Sequence, residues 1–198
     1  MSVITNMVQQ VLAQGAINQL SKKLGVGSNI TQMVIAAGLP LIMKALSKNT
    51  KEQSGAESLF NAVTDQRHDG GVLGHVEDLI GNPDAGQGAG ILKHLLGGQQ
   101  ESVFSGLSKG TGMPESGVQD ILKVLAPVVM GTLGKQQREE KLDLNALVGR
   151  IQETESTLEN EAPREMGFIG NLLDKDGDGR IDDDLKDIGM SVLGSLFK

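Results

Sequence analysis

LSKKLGVGSNITQMVIAAGLPLIMKALSK (residues 20–48) and LSKGTGMPESGVQDILKVLAPVVMGTLGK (residues 107–135) carry one pattern twice, 107 − 20 = 87 residues apart. Aligned without a gap they share Leu20/Leu107, Ser21/Ser108, Lys22/Lys109, Gly25/Gly112, Gln32/Gln119, Pro40/Pro127, Met43/Met130, Leu46/Leu133 and Lys48/Lys135. Within the first copy, Ile30, Met33, Val34, Leu41, Ile42 and Leu46 recur at helical spacing behind Ser28 or Asn29, either of which can cap a helix start. Within the second, Val118, Ile121, Leu122, Leu125, Val128, Val129 and Leu133 follow Pro114, a residue suited to a first helical turn. Pro40 and Pro127 fall inside these helices, where each removes one hydrogen bond and should kink the axis.

Outward from this pair the pattern stays helical. No stretch shows the period-2 alternation of β-branched residues that a strand needs. The match continues weakly from SLFNAV (58–63) to ALVGRI (146–151), and again from GVLGHVEDLIG (71–81) to GFIGNLLDKDG (167–177). The expectation is an all-α, multihelical chain made of two tandem copies of a helical unit, about five helices each. The expected divisions are a first unit over 1–98, a second over 99–152, an acidic linker over 153–165, and a C-terminal segment over 166–198 completing the second unit. The linker reading rests on ETESTLENEAPRE (153–165), rich in Glu and holding Pro163. Residues 48–54 read as a short polar connector, and Gly70-Gly71 and 81–90 as loops. The last of these, GNPDAGQGAG, lacks the Lys-Ser/Thr ending and the preceding strand of a phosphate-binding loop.

Composition narrows the chemistry. Glycine is 27 of 198 residues, about 14%, near twice the usual ~7%. Four Phe are the entire aromatic complement, so Leu, Ile, Val, Met and Ala must build the core. With no Cys, disulfides, thiolate zinc sites and cysteine nucleophiles are excluded. The net charge is 18 − 25 = −7, and all of it lies in residues 101–198. A chain with no basic stripe and no aromatic platform is poorly made for nucleic acid. The N-terminal residues show no basic region ahead of an apolar run and no cleavage site, so no signal peptide is read there. The longest uncharged apolar run, residues 33–43, falls short of the ~20 residues that cross a bilayer. No transmembrane segment is therefore expected, and the cytoplasm is the default compartment, with non-classical export the alternative.

One motif carries specific chemistry. Residues 174–185 read DKDGDGRIDDDL. Calcium takes six to eight oxygen ligands, and Asp174, Asp176 and Asp178 stand at the alternate positions of an EF-hand loop. Gly179 occupies the sharp turn, Arg180 offers a backbone carbonyl, Ile181 anchors the loop, and Asp182 binds directly or through water. Leu185 replaces the bidentate Glu that closes an EF-hand, leaving Asp183 or Asp184 as the substitute. A Ca²⁺ site of low affinity is the expectation, against an acidic turn that caps a helix. The remaining candidates are weaker. His68, His75 and His94 show no ligand spacing and read as surface or satisfied histidines. The apolar residues Ile188, Val192, Leu193, Leu196 and Phe197 read as a terminal helix docked on the core, in preference to a membrane or partner anchor.

With the repeat and the loop in view, the chain resembles a bacterial family of unknown function, the YidB-like proteins. The resemblance rests on the Leu-Ser-x-x-x-Gly and Pro-containing helix pattern, on GILKHLLGG (90–98) and on LLDKDGDGRIDDDL (172–185). It implies an all-helical fold and brings no activity. The expected function is a non-enzymatic, calcium-stabilised structural or interaction protein with a protein partner or a homo-oligomeric state. The alternative is a cytoplasmic calcium sensor or regulatory binding module.

Overall fold

The periodic stretches become helices. The computed structural model describes residues 2–161, and among them there are nine α-helices and no strand. They are α1 (Val3–Val11), α2 (Gln14–Leu24), α3 (Ser28–Asn49), α4 (Gln53–Thr64), α5 (Val76–Gly81), α6 (Gly88–Leu96), α7 (Gln100–Thr111), α8 (Glu115–Glu140) and α9 (Leu144–Glu161). Short 3₁₀ turns at 66–68, 71–74 and 97–99 fill the connections. Six helices precede residue 98 and three follow it. Ser2 caps α1, its hydroxyl accepting from the Thr5 N–H at 3.2 Å. α3 is preceded by Gly27 at its cap position, with Ser28 already its first residue.

α8 is the axis of the molecule. Val118, Ile121, Leu122, Leu125, Val128, Val129 and Leu133, the residues read as its apolar face, are all buried. Val124, Ala126 and Met130 on its other sides are buried too. A helix apolar on every side belongs in the centre of a fold, and α8 packs against α1, α3, α4, α5, α6 and α7. α3 lies beside it and packs in turn against α9. One hydrophobic cluster runs from Ile4 through both halves of the sequence to Leu158.

α3 and α8 are also long and apolar enough to cross a membrane, with 72% and 83% of their apolar windows buried inside this fold. The 11-residue run read from the sequence understated them. An amphipathic count stops at the first polar residue, whereas a helix buried all round absorbs Lys44 or Gln119 at its margins. Here the apolar surface of both is spent on the shared core.

Both helices run through their prolines, Pro40 and Pro127, without interruption. A proline has no N–H for the carbonyl four residues back, so Ala36 and Lys123 each present a carbonyl that no helical N–H takes. α6 begins at that point of α8: a Cβ on Gly88 would collide with the Lys123 carbonyl. Glycine at 88 lets the helix start that close.

The acidic stretch corrects the sequence reading. Residues 153–161 are the second half of α9, not a connector. Leu147, Ile151, Thr154 and Leu158 form a buried stripe at steps of four, three and four residues, and this stripe meets α3 and α4. Thr154 satisfies its buried hydroxyl by donating to the Arg150 carbonyl at 2.9 Å. Glu153, Glu159 and Glu161 are exposed, and Glu159 and Glu155 meet Lys44 of α3 at 3.1 and 3.8 Å. Residues 162–165 of that stretch lie outside the described residues, as does the whole 166–198 segment.

Candidate functional site

Asp174, Asp176, Asp178, Arg180, Asp182, Asp183 and Asp184, the ligands read from the sequence, lie outside the described residues. Among the described residues no group of three or more His, Asp or Glu is placed to hold a metal ion. The loop between α5 and α6 spans residues 82–87, shorter than the 81–90 read from the sequence, because Gly81 ends α5 and residues 88–90 open α6. Its carboxylate, Asp84, is taken by Lys123 of α8 at 2.6 Å. That hydrogen bond draws the Asp84 carboxyl below the ordinary range.

Two of the recesses in the described surface are walled by core helices. The larger, about 580 Å³, lies among α3, α4, α6 and the turn at 66–68. Its apolar wall includes Leu46, Leu59, Ile91 and Met130, and its polar groups include Asn49, Gln87, His68 and His94. Asn49 spends its amide N–H on the Ala45 and Leu95 carbonyls at 2.8 and 3.2 Å, bridging α3 to α6.

His68 is the unusual member. It is 6% exposed, although it sits in a short turn between Arg67 and Asp69. Its Nδ1 lies 2.8 Å from the Ala62 carbonyl. A carbonyl can only accept, so Nδ1 carries the proton in this bond. The buried Nε2 has no hydrogen-bond partner. Arg138 of α8 holds the turn in place. Its guanidinium donates to the carbonyls of Thr64 (3.1 Å), Asp65 (2.8 Å), His68 (3.2 Å) and Gly134 (3.0 Å). Two of these, Thr64 and Asp65, close the C-terminal end of α4, where a cation is favoured. His75 and His94 are exposed, and His75 faces Asp78 at 3.8 Å. The three histidines are thus not alike: the spacing gave no sign that His68 would be buried.

Asp65 fixes the start of the same turn. Its carboxylate accepts from the Arg67 side chain at 2.9 and 3.0 Å and from the Arg67 backbone N–H at 2.9 Å. The side-chain hydrogen bonds come first, and with the backbone bond they hold this carboxyl well below the usual range. A carboxyl depressed in the folded state stabilises above its unfolded pKa, about 3.9, and loses that contribution as pH falls toward the folded value. Asp65→Asn should therefore flatten the acid limb of the stability curve below about pH 4 and leave its shape above about pH 5 unchanged. An NMR titration of the Asp65 carboxyl carbon with a midpoint at the ordinary value would contradict this.

The smaller recess, about 330 Å³, is an apolar cleft where α1, α2, α3 and α9 meet. Val8, Leu12, Ile17, Ile35, Leu39 and Leu158 line it, together with Ala36 and Pro40. It therefore sits at the proline of α3. Gln9, Gln14 and Gln32 supply its polar margin.

Comparison with known proteins bears on the core and not on the loop. The chain matches a family described as bacterial protein of unknown function, DUF937, over residues 6–136. That span covers 131 of 198 residues, from α1 to the last turns of α8, and the chain belongs to this family. No curated protein and no solved structure matches it. The matched span ends before α9 and before the DKDGDGRIDDDL motif.

Proposed function

We propose that this chain is a non-enzymatic interaction protein whose C-terminal segment is stabilised by one calcium ion. The observation that carries the reading is the alternation of Asp174, Asp176 and Asp178 ahead of Gly179 and Ile181, the oxygen spacing that a seven- or eight-coordinate hard cation requires. Asp182, the Arg180 carbonyl and either Asp183 or Asp184 complete the set. The absence of the closing Glu places affinity near ~10⁻⁴–10⁻³ M, the range of structural rather than sensor sites. Protein–protein association, with a partner or a second copy, is the kind of work such a scaffold does.

The helical unit is read as duplicated, with an offset of 87 residues. Element boundaries support this. α2 and α7 both end at a glycine in the left-handed conformation, Gly25 (φ 68°) and Gly112 (φ 73°). α3 and α8 then start at 28 and 115, and each meets its proline 12 residues on (40 − 28 and 127 − 115). All three offsets equal 87.

Calorimetric titration of the full chain tests the calcium reading. About one ion per chain should bind with near-millimolar affinity, and Asp174→Ala or Asp178→Ala should abolish the heat. No binding at several millimolar Ca²⁺ overturns the proposal. Micromolar affinity with a helix rearrangement would favour the sensor instead. Sedimentation with and without Ca²⁺ reads whether the ion changes the assembly state.

A further inference from the structure

The apolar cleft among α1, α2, α3 and α9 has an occupant within the same chain. We propose that residues 185–197, LKDIGMSVLGSLF, dock into it as an amphipathic segment. The inference deepens the calcium reading by naming what the loop at 174–184 holds against the core.

Three observations converge. The first is the cleft. Its wall is aliphatic, and its volume of about 330 Å³ would otherwise hold roughly ten waters at about 30 Å³ each. Val8, Leu12 and Leu39 form its floor and are 1–5% exposed, so the open apolar wall is chiefly Ile35 and Ala13, where water has few polar partners and apolar side chains are the favoured filling. The second is the segment. Leu185, Ile188, Val192 and Leu196 fall at steps of three, four and four, with Leu193 and Phe197 beside them. That is the anchor spacing by which a helix lies in an apolar groove. The third is where the chain leaves the described fold. Leu158, in the last turn of α9, is itself part of the cleft wall, and the described residues stop three positions later at Glu161. From there 184 − 161 = 23 residues precede Leu185, enough to span up to roughly 80 Å extended. The tether begins at the cleft and returns to it easily, so the docking is intramolecular at an effective concentration of order millimolar.

The composition of the chain makes the test clean, because it contains no Trp, no Tyr and no Cys. Phe197→Trp introduces a single emitter into the full-length protein. With Ca²⁺ present, its emission should be blue-shifted and several-fold less quenched by acrylamide than in urea. Val192→Asp in that background should return it to the exposed emission while the circular dichroism melt of the core helices persists. For position, Gln9→Cys with Ser195→Cys should form an intramolecular disulfide on mild oxidation. Glu57→Cys on α4, with Ser195→Cys, should not. An exposed Trp emission in Ca²⁺ overturns the proposal, as does a crosslink that joins two chains, which would assign the cleft to a second copy. Binding of the amphiphile ANS to the wild type and to Val192→Asp alike would show an open cleft and also overturn it. The calcium reading fails separately. Emission that stays buried under chelation keeps the docking and removes the ion's role. A bound Ca²⁺ beside an exposed Trp keeps the ion and removes the docking.

Discussion

Leu122→Ala should lower the unfolding free energy by about 2–5 kcal/mol, among the larger effects a single core truncation produces. Leu122 is fully buried on α8, at the point where α3 comes nearest. A Cβ built on Gly38 would stand 2.8 Å from Leu122 Cδ2 and 3.0 Å from Leu125 Cδ2. The leucine side chains therefore fill the space that Gly38 leaves open on α3. Once Leu122 is truncated, Gly38 has no side chain to move into the void. α3 is also packed against α2, α6, α7 and α9, and these contacts resist its shift into the void. Poor collapse puts this site toward the upper end of the range, because the cost grows with the volume that stays empty. At about 2–4 °C per kcal/mol for a chain of this size, the melting temperature should drop by roughly 5–20 °C. A thermal melt of the full chain checks it. A change below about 1 kcal/mol would mean that α3 and α8 do not meet as described.

How far the sequence reveals this arrangement differs from element to element. α3 and α8 are plain in it because both carry dense aliphatic runs bounded by residues that start helices. Their all-round burial is less plain, since a 3.6-residue pattern marks one face and the second face is set by what packs there. α9 was hidden by its own charge. Glu153, Glu155, Glu159 and Glu161 dominate any window over that stretch, while the buried stripe holds one polar member, Thr154, that a count of apolar residues passes over. The stripe at 147, 151, 154 and 158 was the signal, and it becomes visible when position is weighed ahead of composition. His68 gave no local signal. What holds its turn against α8 is Arg138, 70 residues away in sequence, together with the close approach of Gly134. Nothing in the spacing of three histidines reports such a contact. The cleft at Pro40 is similar: the proline is legible, but the walls come from four helices whose meeting is a tertiary fact.

Gly134→Ala separates local preference from tertiary fit by the sign of its effect. By helix propensity alone the substitution should stabilise α8 by about 0.5–1 kcal/mol, because glycine inside a helix is entropically costly. The packing requires the opposite. A Cβ at position 134 would collide with the His68 carbonyl, a backbone atom that cannot rotate aside. The turn at 66–68 cannot retreat freely either. Arg138 ties it to α8 through the carbonyls of Thr64, Asp65 and His68, and the His68 ring is fastened to Ala62. To make room, the turn must move off α8, and hydrogen bonds to a guanidinium contribute about 1.5–3 kcal/mol each when lost from a protected setting. Overpacking by itself costs about 1–3 kcal/mol. The net expectation is destabilisation on the order of 3 kcal/mol, against the gain that propensity forecasts. Urea unfolding of the full chain measures the sign, and the NMR signal of the His68 Nδ1 proton reports the turn itself. That proton should exchange faster or vanish in the variant while the amides of α3 remain protected. A variant as stable as the parent, with the His68 signal unchanged, would place the turn away from Gly134. The reason glycine stands in the middle of the central helix would then have to be sought elsewhere.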